Sequence, residues 1–287
     1  MNTKSLIITL ITVILAPVVG CILAGIERKL SAKLQHRVGP PIIQPFYDFV
    51  KLFNKETVVV NKYQNFYIVT YLIFIMASTV MFILGMDLLM ILFVFTIANI
   101  ALIMGAASTG SPYSRLGSKR EVINMIVYEP ILILFIGGIY IVSGSFRITG
   151  IEGLSMPLIA YMPLVFISML IVMLIKFKKS PFDFSGSHEA HQELVRGIIT
   201  EFSGPGLALM ELAHWYEYIF LLGLMYLFLS TNIFAGIALA VFTYLFTILI
   251  DNISARVKWQ WMLNRIWPVL NLLCIANVLC IFAINSL

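Results

Sequence analysis

Long apolar stretches recur along the whole chain, and they constrain its fold more than any other feature of the sequence. The first is the run 5–26, which has 22 residues and no charged side chain. A helix rises about 1.5 Å per residue, so roughly 20 apolar residues cross the hydrocarbon core of a bilayer. Helices also satisfy their own backbone polar groups inside lipid. The sequence therefore predicts an all-α polytopic membrane protein.

The composition excludes soluble classes of protein. Hydrophobic residues make up 60% of the 287 residues and charged residues 11%, and the mean hydropathy is +0.97. Because a soluble domain has about 25% charged residues, a soluble enzyme, a disordered chain and a nucleic-acid-binding protein are excluded. We expect a single integral membrane domain over 1–287 with about eight transmembrane helices. The predicted spans are about 5–26, 66–85, 88–107, 122–143, 157–175, 207–229, 233–250 and 267–285.

Basic residues are distributed unevenly among the connections between the predicted spans. The connections after spans 1, 3, 5 and 7 hold 17 of the 19 Lys and Arg residues, which leaves Lys4 and Arg147 for the other side. Lys and Arg concentrate in cytoplasmic loops of membrane proteins. We therefore expect the N- and C-termini outside, and the two long loops 27–65 and 176–206 in the cytoplasm.

A short amphipathic helix is predicted in the first long loop, over 44–53. Phe46, Phe49, Val50 and Phe53 recur there at three- and four-residue spacing, after Pro45. One apolar face of this kind lies among lipid headgroups, or it docks on a partner or on the chain's own spans. The sequence leaves both alternatives open.

Acidic residues occur within predicted spans, where a charged side chain is costly and usually marks an ion path or a paired site. Glu129 precedes Pro130, which lacks an N–H and suits a kink beside a polar cavity. Glu211, His214 and Glu217 are each three residues apart along one side of span 6, and such a series can carry protons. The structural alternatives are a Glu129–arginine pair and a hydrogen-bonded packing cluster in span 6.

The second long loop combines acidic residues with apolar neighbours. Its acids are Asp183, Glu189, Glu193 and Glu201. A solvated acidic loop explains the carboxylates alone, whereas a polar funnel packed under a partner subunit explains both kinds of residue. His188 and His191 miss the H-E-x-x-H spacing of zinc enzymes, so we expect no metal site. The cysteines form no C-x-x-C motif, so we expect no iron–sulfur cluster and no disulfide in this chain.

Four stretches carry motifs that occur together in one family. They are 27–29 (ERK), 37–40 (RVGP) with 44–45 and 51–53, 110–115 (GSPYSR) with 128–130 (YEP), and 180–183 (SPFD) running to 201–204 (EFSG). With these motifs the chain resembles the subunit-1 (H-type) family of respiratory complex I, including the membrane-bound energy-converting nickel–iron hydrogenases. The string EAHQEL at 189–194 is typical of the hydrogenase branch. The string FSGSH at 184–188 departs from both branches.

The resemblance implies a membrane subunit that anchors a peripheral redox arm on its cytoplasmic face, in the cytoplasmic membrane of a prokaryote. It implies a path for protons or ions toward antiporter-like membrane subunits. The implied path residues are Glu129, Asp183, Glu189, Glu193, Glu201, Glu211, His214 and Glu217. The expected docking residues for the peripheral arm are Arg28, Lys29, Arg37, Phe46, Phe49, Phe53 and Arg115. Iron–sulfur clusters, and in the hydrogenase branch a nickel–iron centre, are implied in partner subunits and no cofactor or active site in this chain.

Several functions are compatible with these features. The favoured one is a non-redox coupling subunit of an energy-converting, hydrogenase-like oxidoreductase complex. The alternatives are the same role in a membrane-bound sulfur reductase, the quinone-site subunit of complex I, and a passive membrane anchor. A free-standing transporter is disfavoured, because the sequence shows no inverted halves or paired broken spans.

Overall fold

The computed structural model describes residues 3–58, 61–151, 153–154, 156–186 and 196–286. Its helices are α1 (Thr3–Leu34), α2 (Gln44–Phe53), α3 (Lys62–Ile83), α4 (Leu88–Ala107), α5 (Pro112–Ser143), α6 (Leu158–Tyr161), α7 (Pro163–Lys176), α8 (Gly204–Tyr226), α9 (Ile233–Ile253), α10 (Trp259–Trp261) and α11 (Trp267–Ser286). Short 3-10 turns occupy Ile148–Gly150, Gly197–Ile199 and Leu227–Leu229, and Met262–Ile266 is a π-helical turn. Seven helices in the described ranges are long and apolar enough to cross a membrane. The predicted all-α polytopic fold is confirmed.

Two predicted helices have the expected bounds, and two are longer than their apolar runs. The amphipathic helix over 44–53 is α2, and the third predicted span is α4. The Oδ1 atom of Asp87 caps α4 by accepting from the backbone N–H of Leu89 at 2.9 Å. By contrast, α1 continues to Leu34 and α5 already begins at Pro112. Hydropathy finds only the lipid-crossing part of a helix, because polar residues with good helix propensity extend it beyond the apolar run.

The fifth predicted span differs from the prediction, because it is divided between α6 and α7. The 14 residues of α7 reach about 21 Å, short of the roughly 30 Å of the hydrocarbon core. The division falls at Pro163, which has no N–H and occupies the first turn of α7. Asn277 joins the two ends, since its Oδ1 accepts from Leu164 N at 3.0 Å and its Nδ2 donates to Tyr161 O at 3.0 Å.

The chain divides into two compact units. The first comprises Met1–Leu84, Phe93–Val122 and Phe184–Phe220, and the second comprises Gly85–Leu92, Ile123–Asp183 and Leu221–Leu287.

Close contacts in the first unit hold α8 against α1 and α2. The hydroxyl of Tyr216 donates to the carbonyl oxygen of Val13 at 2.6 Å. Phe49 of α2 packs on Trp215 of α8, with 5.5 Å between ring centroids. At Gly20 an added Cβ would lie 2.4 Å from the carbonyl oxygen of Trp215, so only glycine permits this approach of the two helices. These contacts fix the ionisable face of α8.

Aromatic packing forms the centre of the second unit. The Phe228 ring stacks on Phe135 at 4.9 Å and meets the edge of Phe166 at 5.1 Å. Phe135 and Phe228 are fully buried. Burying a large aromatic side chain stabilises a fold by roughly 2–3 kcal/mol, so this cluster holds α5 and α7 together.

Candidate ion path and docking surface

A buried hydrogen-bonded group lies in the middle of α8. The Glu217 side chain is 5% exposed, and its Oε2 lies 3.2 Å from His214 Nδ1. The hydroxyl of Tyr71 in α3 donates to the same oxygen at 3.3 Å, and it lies 3.4 Å from His214 Nδ1. A carboxylate, an imidazole and a phenol thus meet at one point. We call Tyr71, His214 and Glu217 the buried triad.

The buried triad joins three side chains that form hydrogen bonds through exchangeable protons. The Tyr71 hydroxyl can donate to the ionised carboxylate and accept from the imidazole N–H. His214 and Glu217, two members of the series that the sequence predicts along this helix, thus lie in contact, and Tyr71 is an additional member.

Glu211, the remaining residue of the predicted series, is not part of the buried triad and lies at a cavity of the first unit. It lines a partly open cavity of about 340 Å³ at the side of α1, α2 and α8. Six residues separate it from Glu217, which corresponds to about 9 Å along α8. The predicted series therefore begins at a cavity and ends in the buried triad.

An ion pair connects α1 to α2 at this cavity. The guanidinium of Arg28 donates to Oδ2 of Asp48, and Gln44 Nε2 donates to Oδ1 of Asp48 at 3.0 Å. Burial raises the pKa of the Asp48 carboxyl, but the two hydrogen bonds and the charges of Arg28 and Lys51 outweigh it. The pKa of Asp48 is therefore below its ordinary value.

The other acids of the first unit have separate positions. The Glu27 carboxylate accepts from the Tyr218 hydroxyl at 3.4 Å, which adds a further α1–α8 contact. The backbone carbonyl of Glu201 accepts from Gln64 Nε2 at 3.0 Å, which holds the 196–203 segment against α3. Glu189 and Glu193 lie outside the described residues, and so do His188 and His191.

In the second unit, Asp183 belongs to a set of ion pairs. Arg256 Nη2 lies 2.8 Å from Asp183 Oδ2, and Lys179 Nζ lies 3.3 Å from Asp251 Oδ2. The backbone N–H of Ser180 also donates to Asp251 Oδ1 at 2.8 Å. These contacts attach the segment after α7 to the C-terminal end of α9.

Glu129 lies on α5 beside a buried lysine in the same unit. The Lys176 ammonium is 4.8 Å from the centre of the Tyr128 ring, and its charge acts on the Glu129 carboxylate. Oε1 of Glu129 is buried and has no hydrogen-bond partner among the described residues. The structural alternative of a Glu129–arginine pair stays a prediction.

The predicted docking residues occupy different surfaces of the first unit. Arg28 and Phe49 line the cavity. The other predicted residues are exposed or half-buried: Lys29, Arg37, Phe46, Phe53 and Arg115. Arg115 lies with Lys119 at a second cavity of about 400 Å³. The docking role remains a prediction.

Several ionisable residues of these clusters are absent from the sequence-based set. They are Tyr71, Lys176, Lys179, Asp251 and Arg256. Lys176, Lys179 and Arg256 entered the sequence-based argument only as basic loop residues that indicate the orientation in the membrane. Asp251 could have been identified from the sequence, because an acid at the end of an apolar run needs a cation or water near it. Tyr71 could not have been identified in this way, since tyrosine is common in membrane helices.

The fold and these clusters define a polytopic helical membrane subunit with ionisable groups inside its helical core. Residues 6–282 match the family described as NADH dehydrogenase, and the chain belongs to that family. The resemblance to the subunit-1 (H-type) family of complex I is thereby confirmed.

Individual relatives come from several kinds of complex. The chain is 29% identical to formate hydrogenlyase subunit 4 of Escherichia coli (strain K12), over 72% of each chain. It is 28% identical to the H-type subunit of NADH-quinone oxidoreductase from Thermomicrobium roseum, over 88% of this chain and 87% of the relative. A chain in the structure of the membrane-bound sulfane sulfur reductase, an archaeal respiratory membrane complex, superposes with a TM-score of 0.86 and 23% identity. That similarity covers 97% of this chain and 99% of the other, and it shows a shared fold.

Proposed function

We propose that this chain is the membrane-embedded coupling subunit of an energy-converting, hydrogenase-like oxidoreductase complex. Its family membership and its similarity to formate hydrogenlyase subunit 4 support this role. In this proposal the chain carries no redox centre. Iron–sulfur clusters, and a nickel–iron centre where the complex produces hydrogen, lie in cytoplasmic partner subunits, and antiporter-like subunits lie beside the chain in the cell membrane.

The buried triad is the observation that carries the proposal. Glu217 is 4% exposed, and an isolated carboxylate at that depth would be costly. The Tyr71 hydroxyl donates to the carboxylate, and His214 Nδ1 lies within hydrogen-bond distance of the same oxygen, so the buried carboxylate is not isolated. A passive membrane anchor does not need such a group.

A proton route follows from the arrangement along α8. Protons or cations enter at Glu211 beside the cavity and reach Glu217 through His214. In the second unit, the charge of Lys176 acts on the Glu129 carboxylate, and Arg256 forms an ion pair with Asp183. Charge movement in this chain then changes the electrostatic potential at neighbouring membrane subunits.

Docking of the peripheral arm is proposed at the basic end of α1 and at α2. Arg37 and Lys29 extend this surface beyond the cavity, and Arg115 adds a further cation. The excess of basic residues in the same loops favours the cytoplasmic side for this surface.

A second candidate is the quinone-site subunit of complex I. The cavity of about 340 Å³ has apolar walls at Phe49, Leu52 and Leu207, and one relative is a subunit of an NADH-quinone oxidoreductase. The same role in a sulfur reductase is a third candidate. The electron acceptor of the purified complex distinguishes the three.

The decisive experiment is purification of the complex through a tag on this chain. We expect cluster-bearing and antiporter-like subunits by mass spectrometry, iron and nickel by metal analysis, and reduction of protons as the activity. Reduction of quinone or of sulfur would favour the corresponding alternative. A chain that purifies without redox subunits and transports a solute alone would contradict the proposal.

A further inference from the structure

The cavity beside α1, α2 and α8 is lined by two kinds of side chain. Its apolar lining comes from Pro45, Phe49, Leu52, Ile199 and Leu207. Its charged lining comes from Arg28, Lys51, Lys55, Arg196, Asp48 and Glu211. A pocket with both an apolar wall and charged groups suits an amphiphile better than a free ion or a purely apolar molecule.

Among the described residues that line the cavity, basic groups outnumber acidic ones. Four of these charged residues are basic and two are acidic. Arg28 is engaged by Asp48, so that pair is internally neutral. Lys51, Lys55 and Arg196 then face the carboxylate of Glu211, which leaves an excess of two positive charges among the described lining residues.

The residues beside the cavity are of the kinds expected at the level of the lipid headgroups. The charge-free run of α1 ends at residue 26, and Arg28 follows two residues later. Ile43, Tyr47 and Val50 are exposed along one side of α2 and its N-terminal end, at i, i+4 and i+7, as in a helix that lies in the membrane interface. Lys51 and Lys55 lie on the cavity side of the same segment.

We propose that this cavity binds the headgroup of an anionic phospholipid. The phosphodiester sits between Lys51, Lys55 and Arg196, and the glycerol and first acyl carbons lie against Phe49 and Leu207. Basic pockets at the cytoplasmic side of membrane helices are suited to such headgroups. Bound lipid would hold α2 against α8 and would set the polarity beside Glu211. This inference rests on the proposed hydrogenase-like function, because the quinone-site alternative would place a quinone in the same cavity.

The test measures binding of radiolabelled phosphatidylglycerol to the purified, detergent-washed complex. We expect saturable binding that phosphatidylcholine with the same acyl chains does not displace. The double variant Lys51→Gln/Lys55→Gln should bind about 30-fold more weakly, because each lysine near the headgroup contributes to the attraction. The matched control Lys33→Gln/Lys258→Gln removes the same charge at exposed positions outside the cavity and should leave binding unchanged.

Four results would overturn the proposal. Equal displacement by phosphatidylcholine would show a site without headgroup selectivity, and displacement by inorganic phosphate alone would show a free-anion site. Displacement by decylubiquinone at matched concentration would favour a quinone. Equal weakening in the control pair would show a non-specific surface effect. If the double variant fails to assemble, Lys55→Gln alone and the selectivity of the unmodified complex decide the question.

Discussion

Arg256 and Asp183 form an ion pair with 2.8 Å between Nη2 and Oδ2, and their side chains are 25% and 7% exposed. The neighbouring pair of Lys179 and Asp251 joins the same two segments at 3.3 Å. Two ion pairs therefore hold the segment after α7 against the end of α9. The geometry favours a positioning role for Asp183 in addition to the path role that the family resemblance implies.

Charge reversal separates these two roles of Asp183. Asp183→Asn should destabilise the second unit by about 3 kcal/mol, because it removes the buried carboxylate charge that pairs with the Arg256 guanidinium. The double variant Asp183→Arg/Arg256→Asp should regain most of the lost stability and the pumping activity if the pair only positions the loop. Thermal denaturation of the complex and vesicle acidification measure the two effects. Recovered stability without recovered pumping would show that position 183 needs a titrating carboxylate.

The bounds of α2 and α4 were predicted correctly because residues at or near their ends determine them. Both ends of α2 and α4 follow from apolar spacing, from Pro45 and from Asp87. The division between α6 and α7 was not predictable in the same way. Pro163 gives a signal, but the hydrogen bonds that stabilise the break come from Asn277, more than 110 residues later.

In the candidate sites too, residues that stand out within their own helix were predicted, whereas partners far away in the sequence were not. Glu217 and His214 were found because ionisable groups stand out within an apolar helix. Their third partner, Tyr71, is 146 residues from Glu217 and has no distinguishing neighbours. Arg256 pairs with Asp183 through folding alone, since nothing in either local sequence identifies the other. Pairings of this kind require the tertiary structure.

The Arg28–Asp48 pair should make the docking of α2 sensitive to acid. The pKa of Asp48 is lower in the folded chain than in the unfolded one, so its contribution is complete above about pH 4 and is lost as pH falls through the folded value. The side chains are 42% and 39% exposed, so solvent screening limits the contribution to less than about 1 kcal/mol. Hydrogen exchange of α2 peptides, corrected for intrinsic rate, should rise at low pH. In Asp48→Asn it should be high already at neutral pH, and a pH response equal to that of the unmodified chain would refute this role.

The orientation in the membrane is testable by cysteine labelling. Val38 is 93% exposed in the first long loop, and Thr231 is exposed in the turn between α8 and α9. In a Cys280→Ser background, which removes the exposed native thiol, an impermeant maleimide should label Thr231→Cys in intact cells. It should label Val38→Cys only after permeabilisation, because the basic loops are predicted to be cytoplasmic. The reverse pattern would invert the topology.

Glu217→Gln tests the buried triad directly. Glutamine keeps the size of the side chain and an oxygen that accepts from Tyr71, but it cannot bind or release a proton. We expect assembly and electron transfer in detergent to persist, whereas the ion gradient formed by the complex in sealed vesicles should fall at least roughly tenfold, as expected when a proton-transfer group is removed. Glu56→Gln is the matched control at an exposed position of the same unit, and it should leave the gradient unchanged.

A second variant keeps the triad test informative if Glu217→Gln does not assemble. Tyr71→Phe removes the hydroxyl that donates to Glu217 Oε2 but leaves the carboxylate and His214 in place. Loss of one hydrogen bond to a charged group costs about 2 kcal/mol, so the Glu217 carboxylate is held less firmly beside His214. The ion gradient in sealed vesicles should then fall while the maximal rate of electron transfer is retained. A normal gradient in assembled Tyr71→Phe and Glu217→Gln complexes would leave the triad with a structural role alone.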